Sequence, residues 1–266
     1  MPSLTATRRV GVRLRQSCNW LLWFVLLVLF IAIQLRVSNP LMPLGLFRRP
    51  NVAIANVLAA LWAASMFAWM FIAALYLQLV LGYSLMQVGL AFLPTNLLMA
   101  IFSLGLSAKL ITWFGIKLPL VTGMLLTAVG FALFARVSGA GNFALDVVPS
   151  MLLLGLGAGI VFNPMLLAAM NDVAPNESGL ASGLVNTSFT IGSALGLAVF
   201  ASLAAARTSR LQASGETLLA ALNGGYQLAF LVCAALTVFA TLLGALLLRI
   251  NTRNDVSNTG IALGSH

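Results

Sequence analysis

Charge is what this chain has least of. Only 7% of its 266 residues are charged, against 61% hydrophobic, and a soluble domain cannot cover its surface with so few ionic groups. Histidine is scarcer still: the sole one is His266, the last residue, so histidine catalysis and zinc binding have nothing to build on. The two cysteines, Cys18 and Cys233, stand far apart without ligand spacing, which excludes a disulfide framework and a metal site. There are five acidic residues, Asp146, Asp172, Glu177, Glu216 and Asp255. All fall in links or the tail, so no carboxylate is placed to carry a proton through a membrane. The nucleophile and base that an intramembrane enzyme needs are missing too.

Long apolar runs take up the rest. The mean hydropathy is +1.04, and the runs Val52 to Leu81, Val88 to Ala108, Leu118 to Ala135, Val147 to Met170, Leu180 to Ala206 and Tyr226 to Leu248 are each near or above the ~20 residues that cross a bilayer. The net charge of +9 does not point to nucleic acid, because the basic residues sit at the ends of these runs, where they set topology. The links between runs are short except Arg207 to Gly225, which has room for one or two interfacial amphipathic turns.

Ahead of the six runs, residues 1 to 19 are polar and basic, and Trp20 to Leu35 is apolar. No small-x-small cleavage site follows it, so an uncleaved spanning helix with Trp20 and Trp23 at its interface fits better than a secretory signal. Pro40, Pro43 and Pro50, with Arg48 and Arg49, then mark a loop. The expected organisation is a leader, extra helix and Pro/Arg loop over 1–50, a six-helix bundle over 51–250 and a polar tail over 251–266.

Glycine is placed with a pattern. Gly155, Gly159 and Asn163 fall at i, i+4 spacing, as do Gly179 with Gly183 and Gly192 with Gly196. In lipid this spacing lets helix backbones approach closely. Nine residues at ~100° each put Gly192 roughly opposite Gly183, so the fifth run is expected to pack on two sides. With a cytoplasmic tail, Arg36, Arg48, Arg49, Lys109, Lys117, Arg249 and Arg253 lie inside, against Arg136, Arg207 and Arg210 outside. Adding Arg8, Arg9, Arg13 and Arg15 to the outside removes that bias, so the first helix disagrees with the block that follows it.

LYLQLVLGYSLMQVGLAFLP (Leu75 to Pro94), KLITWFGIK, and SGLASGLVNTSFTIGSALGLAVFASL together resemble the C-terminal half of a major facilitator superfamily permease, of the fourteen-helix drug:proton antiporter (EmrB/QacA type) branch. The resemblance implies an all-α polytopic membrane bundle: one six-helix half of a major facilitator fold, preceded by one linker helix. Two departures stand out. In the loop motif only Leu110, Gly115 and Lys117 match, with Thr112 and Trp113 in the places of its Asp and Arg. In NTSFTIGSALG, Phe189 and Thr190 replace a polar Arg-Gln pair.

The resemblance also implies that the first and fourth helices line a substrate cavity. On the first, Asn56, Ala60, Phe67, Ala74 and Gln78 share about one face, polar at its ends. Trp62, Met66, Trp69 and Tyr76 form another, which suits an adaptable ligand surface or equally lipid contact and core packing. On the fourth, Pro164 frees the carbonyl of Ile160 beside Asn163 at mid-membrane. Two readings stand: a broken-helix substrate site, or a structural kink with Asn163 bonded to a neighbouring helix. The third and sixth helices, which the resemblance places outermost, offer little beyond Thr122, Thr127, Thr237 and Thr241. Asn96, Ser103 and Ser107 in the second, and Asn186, Thr187, Ser188, Thr190 and Ser193 in the fifth, suit surfaces that meet a second half. Asp172 and Glu177 either serve a gate or form a solvated loop, with Asp172 or Ser178 as a helix cap.

The function the resemblance implies is efflux of the multidrug type, with hydrophobic or cationic small molecules as substrates. No cofactor is implied, the energy coming from a proton gradient. The expected partners are the lipid bilayer and a missing N-terminal half or second copy, with no nucleic acid. The expected location is a bacterial inner membrane, C-terminus cytoplasmic. A half-length chain of this kind is expected to be inactive alone. The alternatives are a homodimeric carrier or a non-transporting partner of another permease.

Overall fold

The computed structural model describes residues 49–137, 143–171, 173–174 and 177–248. The chain divides into two units, Met1–Gly45 and Leu46–His266, and every described residue lies in the second. The helix expected from Trp20 to Leu35 therefore lies outside the described residues. Among those described there is no strand.

Six helical rods are long and apolar enough to cross a membrane: α1 Pro50–Val80, α2 Leu85–Phe114, α3 Lys117–Phe134, α4 Phe143–Met170, α5 Ser178–Ala213 and α6 Leu218–Leu247. Their ends follow from local chemistry. Arg49 is extended and Pro50 opens α1, where its missing N–H is no loss. Ser84 caps α2 in a capping box with Gln87. Gly115, at φ 74°, closes α2 in a conformation that a side chain resists. Thr217 caps α6 by accepting from the Ala220 N–H.

Two expectations about the links are corrected. KLITWFGIK is not a loop, because α2 runs on to Phe114 and leaves only Gly115 and Ile116 as the turn. Arg207 to Gly225 is not an interfacial segment either. α5 continues to Ala213 and α6 starts at Leu218, so only four residues lie between them. At 1.5 Å per residue the 36 residues of α5 extend about 54 Å, well beyond a hydrocarbon core of about 30 Å. Gly225 keeps this hairpin tight, since a Cβ there would meet the Thr208 hydroxyl and the Ala204 carbonyl of α5.

The helices pack in two matching triplets. α2 lies on α4 as α5 lies on α1; α3 packs on α4 as α6 packs on α1; and α3 and α6 meet each other. The core therefore sits among α1, α3, α4 and α6. One end of it is aromatic: Trp69 meets Phe92 edge-on with ring centroids 5.6 Å apart, and Phe134 meets Phe230 at 4.7 Å. The other end is built from Leu58, Leu120, Met124, Val161 and Met165.

This arrangement changes the reading of α3 and α6. Their threonines do bond their own helices, Thr127 to the Gly123 carbonyl and Thr237 to that of Cys233, yet Thr127 and Thr237 are fully buried. Only one stripe of each helix is open, through Leu118, Leu125 and Val129 on α3 and through Leu231, Val238 and Leu242 on α6. The least covered helix is α2, 6% buried over its most apolar stretch, against 56% for α1 and α4.

Candidate functional site

The expected cavity face of α1 is largely closed by α5. Asn56 is 4% exposed; its amide donates to the Val52 carbonyl at 2.8 Å and its Oδ1 accepts from the Ser188 hydroxyl at 2.8 Å. It is a helix-to-helix tie rather than a cavity residue, and Ser188 points into this lobe, not away from it. Directly beyond it the small-residue pattern takes effect: a Cβ on Gly192 would meet the Ala60 backbone, and one on Gly196 would meet Ala64. Trp69 and Met66 belong to the packing, not the cavity. Trp69 is 2% exposed among Phe92, Phe131 and Phe134, and Met66 is half-buried against both ends of the core. Gln78 is half-buried and bonds back to the Ala74 carbonyl at 3.3 Å. Phe67 alone of this set presents an open ring, 43% exposed.

On α4 the second of the two readings holds. The helix continues through Pro164 without a break. Asn163 Nδ2 donates to the Ser103 carbonyl of α2 at 2.7 Å, and the Ile160 carbonyl freed by the proline accepts from the Ser107 hydroxyl at 3.4 Å. Ser103 lies within a wider π-turn in α2, Phe102–Leu106, and Ser107 follows it directly, so two irregular backbones satisfy each other across the interface. Ser107 is accordingly fully buried and does not face outward as expected. Gly155 and Gly159 make the approach possible: a Cβ at Gly155 would lie 2.5 Å from the Thr95 carbonyl, and one at Gly159 2.8 Å from that of Met99.

The other glycine pair behaves differently. A Cβ on Gly179 or Gly183 would meet nothing within 4 Å, so this pair packs against no described residue. It opens one wall of a pocket of about 330 Å³ between α1, α4 and α5. Trp62 of α1, Phe162, Met165 and Leu166 of α4, and Ser182, Val185, Asn186 and Phe189 of α5 supply the rest. Four of the α5 contributors, Gly179, Gly183, Asn186 and Phe189, form one stripe by helical period. In the sequence the spacing of Gly179 and Gly183 signals close packing, and in the fold it leaves open space instead. Phe189 stands at the centre, its ring 5.8 Å from that of Trp62 and edge-on to Phe67 at 5.6 Å. The indole Nε1 of Trp62 is buried and finds no acceptor among the described residues, which costs about 1–3 kcal/mol.

The pocket reaches from the start of α5 to about 16 Å along it at Phe189. Just before α5, Glu177 pairs with Arg49 at 3.2 Å. This ties the start of α1 to the start of α5, where Glu177 holds the N-cap position without a side-chain cap bond, so Glu177 is not a free solvated residue. Asp172 lies outside the described residues, and Gly115, in the α2–α3 turn, and Lys117, which opens α3, are not among the pocket's lining residues. No group of three or more metal-ligating side chains occurs among the described residues.

A family model described as the Major Facilitator Superfamily matches residues 8–197. The chain is 30% identical over 243 residues to the puromycin resistance protein pur8 of Streptomyces alboniger, covering 90% of this chain and 48% of that protein. It is 31% identical over 184 residues to the cephamycin export protein CmcT of Amycolatopsis lactamdurans, covering 69% and 38%. It is 35% identical over 175 residues to the tetracenomycin C resistance and export protein of Streptomyces glaucescens, covering 65% and 32%. The chain spans about half or less of the length of these curated relatives.

Proposed function

The chain belongs to the major facilitator superfamily, a family of transporters rather than enzymes, and from that premise we propose that it is one lobe of an exporter of lipophilic, drug-like molecules. The carrying observation is the uncovered polar face of α5. Asn186, Thr187 and Thr190 are exposed, on a helix whose opposite side is sealed against α1 by Gly192 and Gly196. Polar side chains turned toward hydrocarbon are disfavoured, and in membrane bundles they face protein or a watery path. Asn96 on the almost uncovered α2 extends the same surface. A second lobe closing over α2 and α5 turns the pocket at Trp62 and Phe189 into part of an enclosed solute path, and the lobe alone does not transport.

Relatives of this chain are named for drug resistance and export, which supports the same activity for the completed carrier. The driving force is a proton gradient, with the coupling carboxylate on the second lobe. The described acids Asp146, Glu177 and Glu216 lie at the ends of spans, where they support no proton path through the bilayer. The bias of basic residues supports a cytoplasmic α6 end, and the likeness to bacterial export proteins supports an inner-membrane location.

The test is expression in an efflux-deficient bacterium, alone and with a separately encoded six-helix lobe from one of the relatives. We expect co-purification of the two lobes and proton-dependent dye efflux only from the pair. Efflux by this chain alone overturns the single-lobe reading. A complex that forms yet exports none of a panel of lipophilic drugs overturns the exporter reading.

A further inference from the structure

We propose that the pocket binds one uncharged, planar, fused-ring group bearing a carbonyl or ether oxygen, and that Trp62, Phe189 and Asn186 impose this choice; the inference rests on the export reading and narrows its substrate class. Size comes first. At about 330 Å³ the pocket is at the small end of the roughly 300–1,000 Å³ typical of ligand sites, so it takes a ring system rather than a whole large molecule.

Charge comes second. No ionisable side chain lines the pocket, and the carboxylate nearest to it in sequence, Glu177, is already held by Arg49 at 3.2 Å. A cation entering here loses its water and meets no free counter-charge, whereas a neutral ring loses little.

The third point is the direction of hydrogen bonding. Trp62 is 2% exposed and its Nε1 is buried without an acceptor among the described residues. An indole can only donate. The half-buried ring of Phe189 lies between Trp62 and the open ring of Phe67. A ligand ring that displaces the Phe189 ring takes over its aromatic contact with Trp62 and brings an oxygen to the indole N–H. Asn186, exposed one helical turn before Phe189, offers an amide to a second polar group at the pocket edge.

The test is saturable binding of tritium-labelled probes to the purified chain in nanodiscs, with probe-free lipid partitioning measured on empty discs. Three probes of similar shape are compared: 9-fluorenone, fluorene and N-methylacridinium. We expect 9-fluorenone to bind about tenfold more tightly than fluorene, a gap that Trp62→Phe removes, and N-methylacridinium to bind most weakly. Phe189→Arg is expected to abolish binding of both neutral probes, and Asn186→Leu to weaken 9-fluorenone a few-fold. Equal binding of 9-fluorenone and fluorene, tighter binding of the cation, or wild-type binding by Phe189→Arg overturns the proposal. Should Trp62→Phe fail to fold, Phe189→Arg and Asn186→Leu, at half-buried and exposed positions, decide it. Binding needs no second lobe, so lost binding with efflux intact refutes this inference alone, and intact binding without efflux refutes only the export reading.

Discussion

At the scale of single residues, identical glycine spacing carries two different meanings. Gly192 and Gly196 admit the α1 backbone, so Gly192→Val forces an overlap with the Ala60 carbonyl and is expected to destabilise the lobe by about 1–3 kcal/mol. Gly183→Val meets nothing within 4 Å and should leave stability nearly unchanged. Cys233 is fully buried, so in a Cys18→Ala background its reaction with a thiol dye on heating measures both. For Asn163 a tie to a neighbouring helix was one of two readings the sequence allowed, but the partner was not legible. Its partner is a carbonyl 60 positions away in sequence, and nothing in the local pattern names it. Asn163→Leu is therefore expected to lower stability by about 1 kcal/mol while leaving 9-fluorenone binding at its wild-type level. A selective loss of binding without a loss of stability would return Asn163 to the solute path.

At the scale of elements, span existence was readable because each run exceeds the bilayer requirement, whereas ends were not. Hydropathy falls at Arg207, but helical hydrogen bonding does not, and α5 goes on to Ala213. The α5–α6 tip and the α2–α3 turn close opposite ends of the bundle, since three spans separate them. A cysteine at Gln212 is expected to react with an impermeant maleimide added outside intact cells, and one at Lys117 only after permeabilisation. The reverse labelling would invert the proposed orientation. Arg49 and Glu177 tie the start of α1 to that of α5, but their side chains are 38% and 31% exposed. Glu177→Gln should therefore shift unfolding by no more than about 1 kcal/mol, and a collapse of the fold would show that the pair does more than brace two helix ends.

At the scale of the whole molecule, the two triplets leave α2 lying on one main neighbour, α4, and α5 on two, α1 and α6. Cysteines placed at Asn96 and Asn186, both exposed, are expected to label with a water-soluble maleimide in the isolated lobe and to be protected at least severalfold when a second lobe is co-expressed. A cysteine at Leu125, on the lipid-facing stripe of α3, should stay unreactive in both. Protection of Leu125 but not of Asn186 would put the partner on the wrong side of the bundle.

What the sequence determined by itself was the solvent and the helices. Backbone groups in hydrocarbon must bond within their own segment, so an apolar run of sufficient length has one outcome whatever its neighbours. Close approach was also written there, since glycine at every fourth position has few other uses in a span. Which helix each glycine face meets was decided only in three dimensions, because the pattern on one helix fixes a direction and not an occupant. Asn56 and Asn163 became ties, and Trp69 became core, when α5, α2 and α3 arrived beside them. The stripe from Gly179 to Phe189 became a pocket because nothing did.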